Sequence, residues 1–468
     1  MSQALLVGVD VGTTSCKVTV CTTDGREVTN AKAALTWQVT HEGVEVDPAA
    51  ILDAVAAATG AALAEAPPGE VLAVGVASMG EAGVLLDQRG EPLAPVIAWH
   101  DDRDRALAER MGRELGETEF TGATGLPVIS QWSLSKHRWL VEHHSHSAGA
   151  VRRLGIAEWV VRALGGEEAS EYSLASRTGW LRLDTGEWWP EALEWSGARA
   201  SLLPSLVRAG SPLGRVNASW APARLTGAVL TVAGHDHLAA AVGAGAVRDG
   251  DQLDSCGTAE ALVRTVSAPL PPDPVRRLVE AGVTVGHHVL PGRLSVLGDR
   301  RGGLLMQNVQ RLLGFGSAEL ADFDERALAC PTGSLTADLE DDGNVVLRGI
   351  GRDASPAQLW HTALRSAADR AIQMDSDMSA VLGAHQRTVM SGGWTRSRAV
   401  RQLRGAAWKD VTVAQVQEAG GRGAALLGGC AAGLYAGPED LPPAPVTAAE
   451  PAVGHRLLTA TAMPGSTR

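Results

Sequence analysis

Asp10, Gly12, Thr13, Thr14 and Lys17 interrupt an otherwise apolar stretch, LLVGVDVGTTSCKVTV at 5–20. Glycine at a hairpin bend lets backbone N–H groups close on a phosphate, and threonine hydroxyls add donors. A carboxylate is repelled by phosphate, so Asp10 fits a role in holding Mg2+, directly or through water, and Lys17 can offset phosphate charge. An ordinary glycine turn gives the same local pattern. A second copy, DQLDSCGTAEALVR at 251–264 with Gly257-Thr258 at its bend, favours two phosphate-facing hairpins.

Asp236 lies in GHDH, 234–237, where an apolar run ends and a small-residue helix begins. Open α/β sheets hold ligands at such carboxyl ends. A carboxylate there can take a proton from a hydroxyl as it attacks a phosphoryl group, or it can serve as a helix cap. His235 and His237 lack a third ligand at metal spacing and fit orientation or substrate contact. SMGE at 78–81 and AWHDDRD at 98–104 bring Met79, Glu81, Trp99, Asp101 and Arg103 close after two strands. Carboxylates and arginine beside an indole suit a polyhydroxylated ligand, and they equally suit surface ion pairs. In VMSGGWTRS, Gly392-Gly393 joins a strand to a helix and leaves room for a flat ring against the backbone. GGRGAALLGG at 420–429 does not follow a strand as GxGxxG, and GxxxxGK[ST] is absent. HHSH, 143–146, reads as a helix end at the surface.

Those residues need strands to present them. Residues 4–23 read strand, turn, strand; 47–66 a helix opened by Asp47-Pro48; 71–78 a buried strand; 228–247 strand then helix. The mixture is α/β, and 468 residues exceed one core. The repeated hairpin suggests two related units, divided at 228/229 after a Pro-rich stretch, with a Pro/Ala-rich tail over 438–468 whose few large side chains predict loose packing or partial disorder. A net charge of −12 without a basic block argues against nucleic acid. Five cysteines without metal spacing, no basic leader and no apolar run near membrane length predict a soluble, cytoplasmic protein.

In order, GVDVGTTSCKV, GVLLDQRGEPLAPVIAWHDDR, TGLP then KHRWL, SLASRTGWLRLDTGEWW, GHDH, DSCGTAEALV, SGGWTRS and EAGGRGAALL make the chain resemble the FGGY family of carbohydrate kinases, within the actin-like ATPase superfamily. The resemblance runs from the first strand to about 435. It implies two ribonuclease-H-like domains with a cleft between them. It implies phosphoryl transfer from MgATP to a small sugar or polyol, with Asp236 as base and Asp10 and Asp236 near Mg2+. Gly12, Thr13, Thr14, Lys17, Gly257, Thr258, Gly303, Gln307, Gly392, Gly393 and Ser397 fall at the family's ATP contacts. Met79, Glu81, Trp99, Asp101, Arg103 and His237 fall toward the sugar. Members are often homodimers, although no residue here marks an interface. Met79-Gly80-Glu81 stands where xylulose and gluconate kinases look like Met-His-Gly. A ketose is the first expectation, and a polyol or cyclitol the second. A catalytically silent sugar sensor has no use for Asp236, and an actin-like ATPase has none for the sugar-side residues.

Overall fold

The computed structural model describes residues 3–449 apart from 332 and 341–342. The elements that carry the site are, in chain order, β1 (Gln3–Val11), β2 (Ser15–Thr22), β3 (Glu27–Ala34), α1 (Pro48–Glu65), β4 (Gly69–Ser78), β5 (Val229–His235), α2 (Asp236–Ala244), β6 (Asp251–Ser255), β7 (Glu260–Ser267), β8 (Thr284–His287), β9 (Arg293–Arg300), α3 (Gly302–Leu313), β10 (Arg387–Ser391), α4 (Arg398–Gly405), β11 (Val411–Ala414), α5 (Ala419–Ala431) and β12 (Val446–Ala448).

Two sheets repeat one topology. The first runs β5-β4-β1-β2-β3. There β1, β2 and β3 form an antiparallel meander, and β4 and β5 add in parallel. The second runs β8-β9-β7-β6-β10-β11-β12, with the meander β6-β7-β9 and the parallel pair β10 and β11 in the same relative places. This is the expected architecture of two ribonuclease-H-like units, and the hairpin repeat belongs to it: each bend joins the first two strands of its sheet. A largely helical insertion from Arg105 to Leu202 extends the first unit.

Two expectations are corrected. The strand 229–235 does not open the second unit. It is the outer parallel strand of the first sheet, in register with β4 from Val229↔Ala73 to His235↔Ser78, so the division at 228/229 cuts through that sheet. The chain leaves the sheet only after His235. The sequence hid this because the strand follows 150 residues of inserted chain and directly precedes the second unit. The tail 438–468 is also not uniformly loose, because β12 pairs with β11 at the sheet edge. Residues 450–468 lie outside the described residues.

Asp47 caps α1 as expected, accepting from the Ala49 amide at 2.8 Å, with Pro48 in the first turn. By length and composition α1 is apolar enough to cross a membrane, which the reading of apolar runs had not anticipated. It buries Ile51, Val55, Ala58 and Ala62 in the core of the first unit, against β2 and β3.

The segment 420–429 forms α5, and its glycines are packing surfaces. A Cβ on Gly8 of β1 would lie 1.8 Å from the Gly421 carbonyl oxygen; on Gly75 of β4, 1.9 Å from that of Ala424. A Cβ on Gly423 would lie 1.8 Å from the Ala239 carbonyl oxygen of α2. The helix therefore lies with backbone on backbone against β1, β4 and α2. Gly423→Ala is expected to destabilise by about 3 kcal/mol, because neither helix backbone can retreat. Gly60→Ala, mid-α1 with nothing within 4 Å, is expected to be neutral or to stabilise by about 0.5–1 kcal/mol. Urea unfolding of both variants reads the contrast.

Candidate active site

Three parallel strands of the first sheet end side by side, and each delivers an acid. Asp10 is one residue from the end of β1, paired across the hairpin with Lys17. Met79 to Glu81 follow β4, with the Met79 amide bound to the Val11 carbonyl at 2.9 Å. Asp236 follows β5 as the first residue of α2. A cleft of about 1070 Å³ opens over Asp10 and Asp236 toward the second unit.

Asp10, Thr14, Lys17, Asp236 and His237 line its near wall. Burial, then the nearby charge of Asp236, pushes Asp10 up to about 7, against the pull of Lys17. The Oδ1 atom of Asp10 is buried without a hydrogen-bond partner. Lys17 Nζ pairs with Glu418 at 2.8 Å, just before α5. Two mutually repelling carboxylates and an orphaned oxygen, facing hairpins suited to phosphate, fit a magnesium ion, which takes one or two protein carboxylates and fills its shell with water and phosphate oxygens. No group of three or more metal-ligating side chains occurs among the described residues, so a fully protein-bound metal does not fit.

The far wall carries Gly257 and Thr258 from the β6–β7 bend, Gln307 from α3, and Gly392 and Gly393 after β10. Gly392 has φ 99°, and a Cβ there would lie 2.7 Å from the Cys256 carbonyl oxygen, so only glycine fits. Gly303 acts indirectly. A Cβ there would lie 1.8 Å from the Gly257 carbonyl oxygen, and its absence seats the start of α3 on the bend.

Several expected contacts turn out otherwise. Ser397 is buried away from the cleft. It caps α4, accepting from the Val400 amide, and donates to Asp324 at 2.7 Å. The hydroxyl of Thr13 accepts from the Trp99 indole at 2.9 Å, and its carbonyl from that of Trp37, so Thr14 and Ser15 supply the lining from the bend that starts at Gly12. Asp101 and Arg103 form a buried pair at 2.8 Å. Asp101 also holds the Val44 amide, while Arg103 reaches Glu45 at 3.2 Å and lies over the Trp139 ring. Their charges are spent on fixing the strand Val44–Val46. Asp254, the apparent counterpart of Asp10, points away from the cleft to Arg404 at 2.6 Å. In the His run, His143 stacks on Trp139 and His144 pairs with Glu42 at 3.1 Å.

Glu81 is the strained residue of the site. It has φ 63°, a left-handed conformation unusual for a side chain of its kind. Its carbonyl accepts from Arg153 Nη2 at 2.9 Å and from the Ser133 hydroxyl. Its carboxylate accepts from Arg177 Nε at 2.7 Å and from Gln131 at 3.2 Å. Burial raises its pKa, Arg177 opposes, and the charge of Asp236 adds to the rise, which places Glu81 within electrostatic reach of Asp236. His235, with Nε2 3.5 Å from Asp236 Oδ1, is driven down to about 3 by burial and is neutral. Met79 is buried in the core of the first unit. Arg177, Gln131 and Glu418 escaped the reading of the sequence. Arg177 and Glu418 lie within the quoted motifs SLASRTGW and EAGGRG, yet 96 and 401 residues separate them from their partners.

A model of the N-terminal domain of the FGGY carbohydrate kinases matches residues 5–243, just over half of the chain. The chain belongs to the FGGY family of carbohydrate kinases. A xylulose kinase of Streptomyces rubiginosus is 30% identical, aligned over 93% of this chain and 89% of that protein. Glycerol kinase 2 of Streptomyces coelicolor is 25% identical over 93% of this chain and 90% of its own. The crystal structure of xylulose kinase from Rhodospirillum rubrum superimposes with a TM-score of 0.82 over 95% of this chain and 93% of that one, at 24% identity. This FGGY kinase is accordingly a phosphotransferase acting on a small molecule, in a family that uses ATP with Mg2+ as the usual metal.

The raised Asp10 sets a pH signature. Its charge costs stability in the folded protein as pH rises from its ordinary value of 3.8 through about 7. In metal-free protein, the Tm of the wild type is expected to fall relative to Asp10→Asn between about pH 4 and 7, a few degrees in all. At pH 8, Mg2+ added with ADP is expected to raise the wild-type Tm above ADP alone, and to do nothing further for Asp10→Asn. Equal Mg2+ responses would remove Asp10 from the metal site.

Proposed function

We propose that this kinase transfers the terminal phosphoryl group of MgATP to a hydroxyl of a small ketose of the xylulose or ribulose kind, with Asp236 as general base. The observation that carries the reading is the place of Asp236. Its carboxylate lines the cleft with the Gly257-Thr258 bend on the far wall, at the end of a strand beside β4, the strand that Glu81 follows. The ketose is supported by the xylulose kinase relative at 30% identity over nearly the whole chain.

In this reading Glu81, fixed by Arg177 and Gln131, holds substrate hydroxyls and keeps the acceptor oxygen beside Asp236. That oxygen attacks the terminal phosphorus in line as the bond to the ADP oxygen breaks, and the hydroxyl proton passes to Asp236 Oδ. The bends at Thr14 and at Gly257-Thr258 direct N–H and O–H donors at the phosphates, and Lys17 adds a positive charge. Mg2+, held from Asp10 and Asp236, offsets phosphate charge when bound. His235 stays neutral and leaves the acid-base step to Asp236.

A polyol acceptor is the second reading. The buried acid Glu81 favours it, because a carboxylate accepts hydrogen bonds from adjacent hydroxyls without needing a carbonyl on the substrate.

ADP release with MgATP across ketoses, sugar acids, polyols and cyclitols separates these readings. One ketose is expected to drive turnover, and Asp236→Asn to cut kcat by about 10²–10⁴ while ADP binding persists. Turnover confined to polyols would select the second reading. Turnover that no acceptor stimulates would sink both.

A further inference from the structure

Arg404 is one of the largest fully buried side chains, and it carries a full charge. Nη1 donates to Asp254 Oδ1 at 2.6 Å, and Nη2 donates to Glu260 Oε1. Those acids come one from each strand of the β6–β7 hairpin, immediately either side of the bend that lines the cleft. Strand alternation explains the split: Leu253 and Ser255 face the cleft while Asp254 faces inward. Arg404 itself stands at the end of α4, the helix that starts where the loop 392–396 finishes.

The bend and that loop are already one backbone unit. The Cys256 amide donates to the Ser391 carbonyl at 2.6 Å, and the Trp394 amide donates to the Cys256 carbonyl at 3.0 Å. Directly behind this unit lie two buried carboxylates of the same sign as a bound phosphate chain. Burial, against the pull of Arg404 and with the charge of Asp254 adding to it, pushes Glu260 up to about 7. Arg404 is the cation that compensates both, and a planar fork suits two separate carboxylates better than a single ammonium does.

We propose that Arg404 is a positioning residue for the nucleotide's phosphate chain, neutralising Asp254 and Glu260 so that the bend at 255–259 and the loop at 392–396 present one fixed set of donors. The proposal rests on the reading of the cleft as the MgATP site. Without Arg404, the uncompensated acids separate or take up protons, the bend loses its fixed shape, and like charge faces the phosphates.

Calorimetric binding of MgADP tests it on folded protein, with circular dichroism and gel filtration as checks. Arg404→Met is expected to weaken MgADP by about tenfold or more, and Arg404→Lys by less, since one ammonium cannot span both acids. The triple variant Arg404→Met/Asp254→Asn/Glu260→Gln is expected to recover most of the loss. In turnover with the best acceptor, KM for ATP is expected to rise while KM for the acceptor stays unchanged. Wild-type affinity in folded Arg404→Met overturns the proposal, as does a folded triple variant that recovers nothing. If Arg404→Met does not fold, Arg404→Lys and the triple variant decide by the same criteria. A wild-type protein that binds no MgADP would instead overturn the reading of the cleft itself.

Discussion

The contact of α5 with β1, β4 and α2 is the constraint on which the rest of the site depends. The helix is the last α-helix among the described residues of the second unit, yet it packs against the first sheet. It can do so only because glycine faces carbonyl at Gly8, Gly75, Gly243 and Gly423, where a Cβ would lie 1.8–1.9 Å from a carbonyl oxygen, and because at Gly421 a Cβ would lie 2.3 Å from the Thr19 hydroxyl. Gly420 extends the same surface to the reactive end, where a Cβ would lie 2.3 Å from Asp10 Oδ2. Glu418, one residue before the helix, then meets Lys17. Arg422 fastens the arrangement, donating to the carbonyls of Gly25, Gly243, Pro442 and Pro443 from a fully buried position. A guanidinium serves four such acceptors; a lysine has three donors from one point.

Duplicated sheets do not make duplicated chemistry. In the first unit the bend is backed by an acid aimed into the cleft, with the lysine opposite it held by Glu418. In the second, the acid at the equivalent hairpin is turned inward and neutralised by Arg404. In the proposed reading, one hairpin supplies charge for a metal and the other supplies neutral donors. This division follows from which side of each strand faces the cleft. Asp10 lines it, whereas in β6 the lining residues are Leu253 and Ser255, on either side of Asp254.

Strain is concentrated just after β4. Glu81 and Asp410 are the non-glycine residues with positive φ among the described residues, and Glu81 is the one that follows a strand of the first sheet. Four donors, on Arg153, Ser133, Arg177 and Gln131, hold it from parts of the insertion distant from one another in the sequence. The large helical insertion thus does more than cover a sheet: it supplies the partners that keep one acid in a costly conformation.

Alternating apolar and special residues were enough to expose both Gly-Thr hairpins, the strand-to-helix place of Asp236, the cap of α1 and the duplicated α/β plan, because each is encoded within about twenty residues. The ordered motifs were enough for the family. Partners distant in sequence were not legible. Asp101 with Arg103 looked like site residues because neighbours in sequence looked like neighbours in function; their side chains pair with each other, with Glu45 and with the Val44 amide instead. Strand 229–235 read as the opening of a unit because pairing with β4 crosses 150 residues that no local pattern spans. Local periodicity fixes which residues share a face. Which face meets the cleft, and whose charge answers Asp10, Glu81 or Asp254, was decided by close packing in three dimensions.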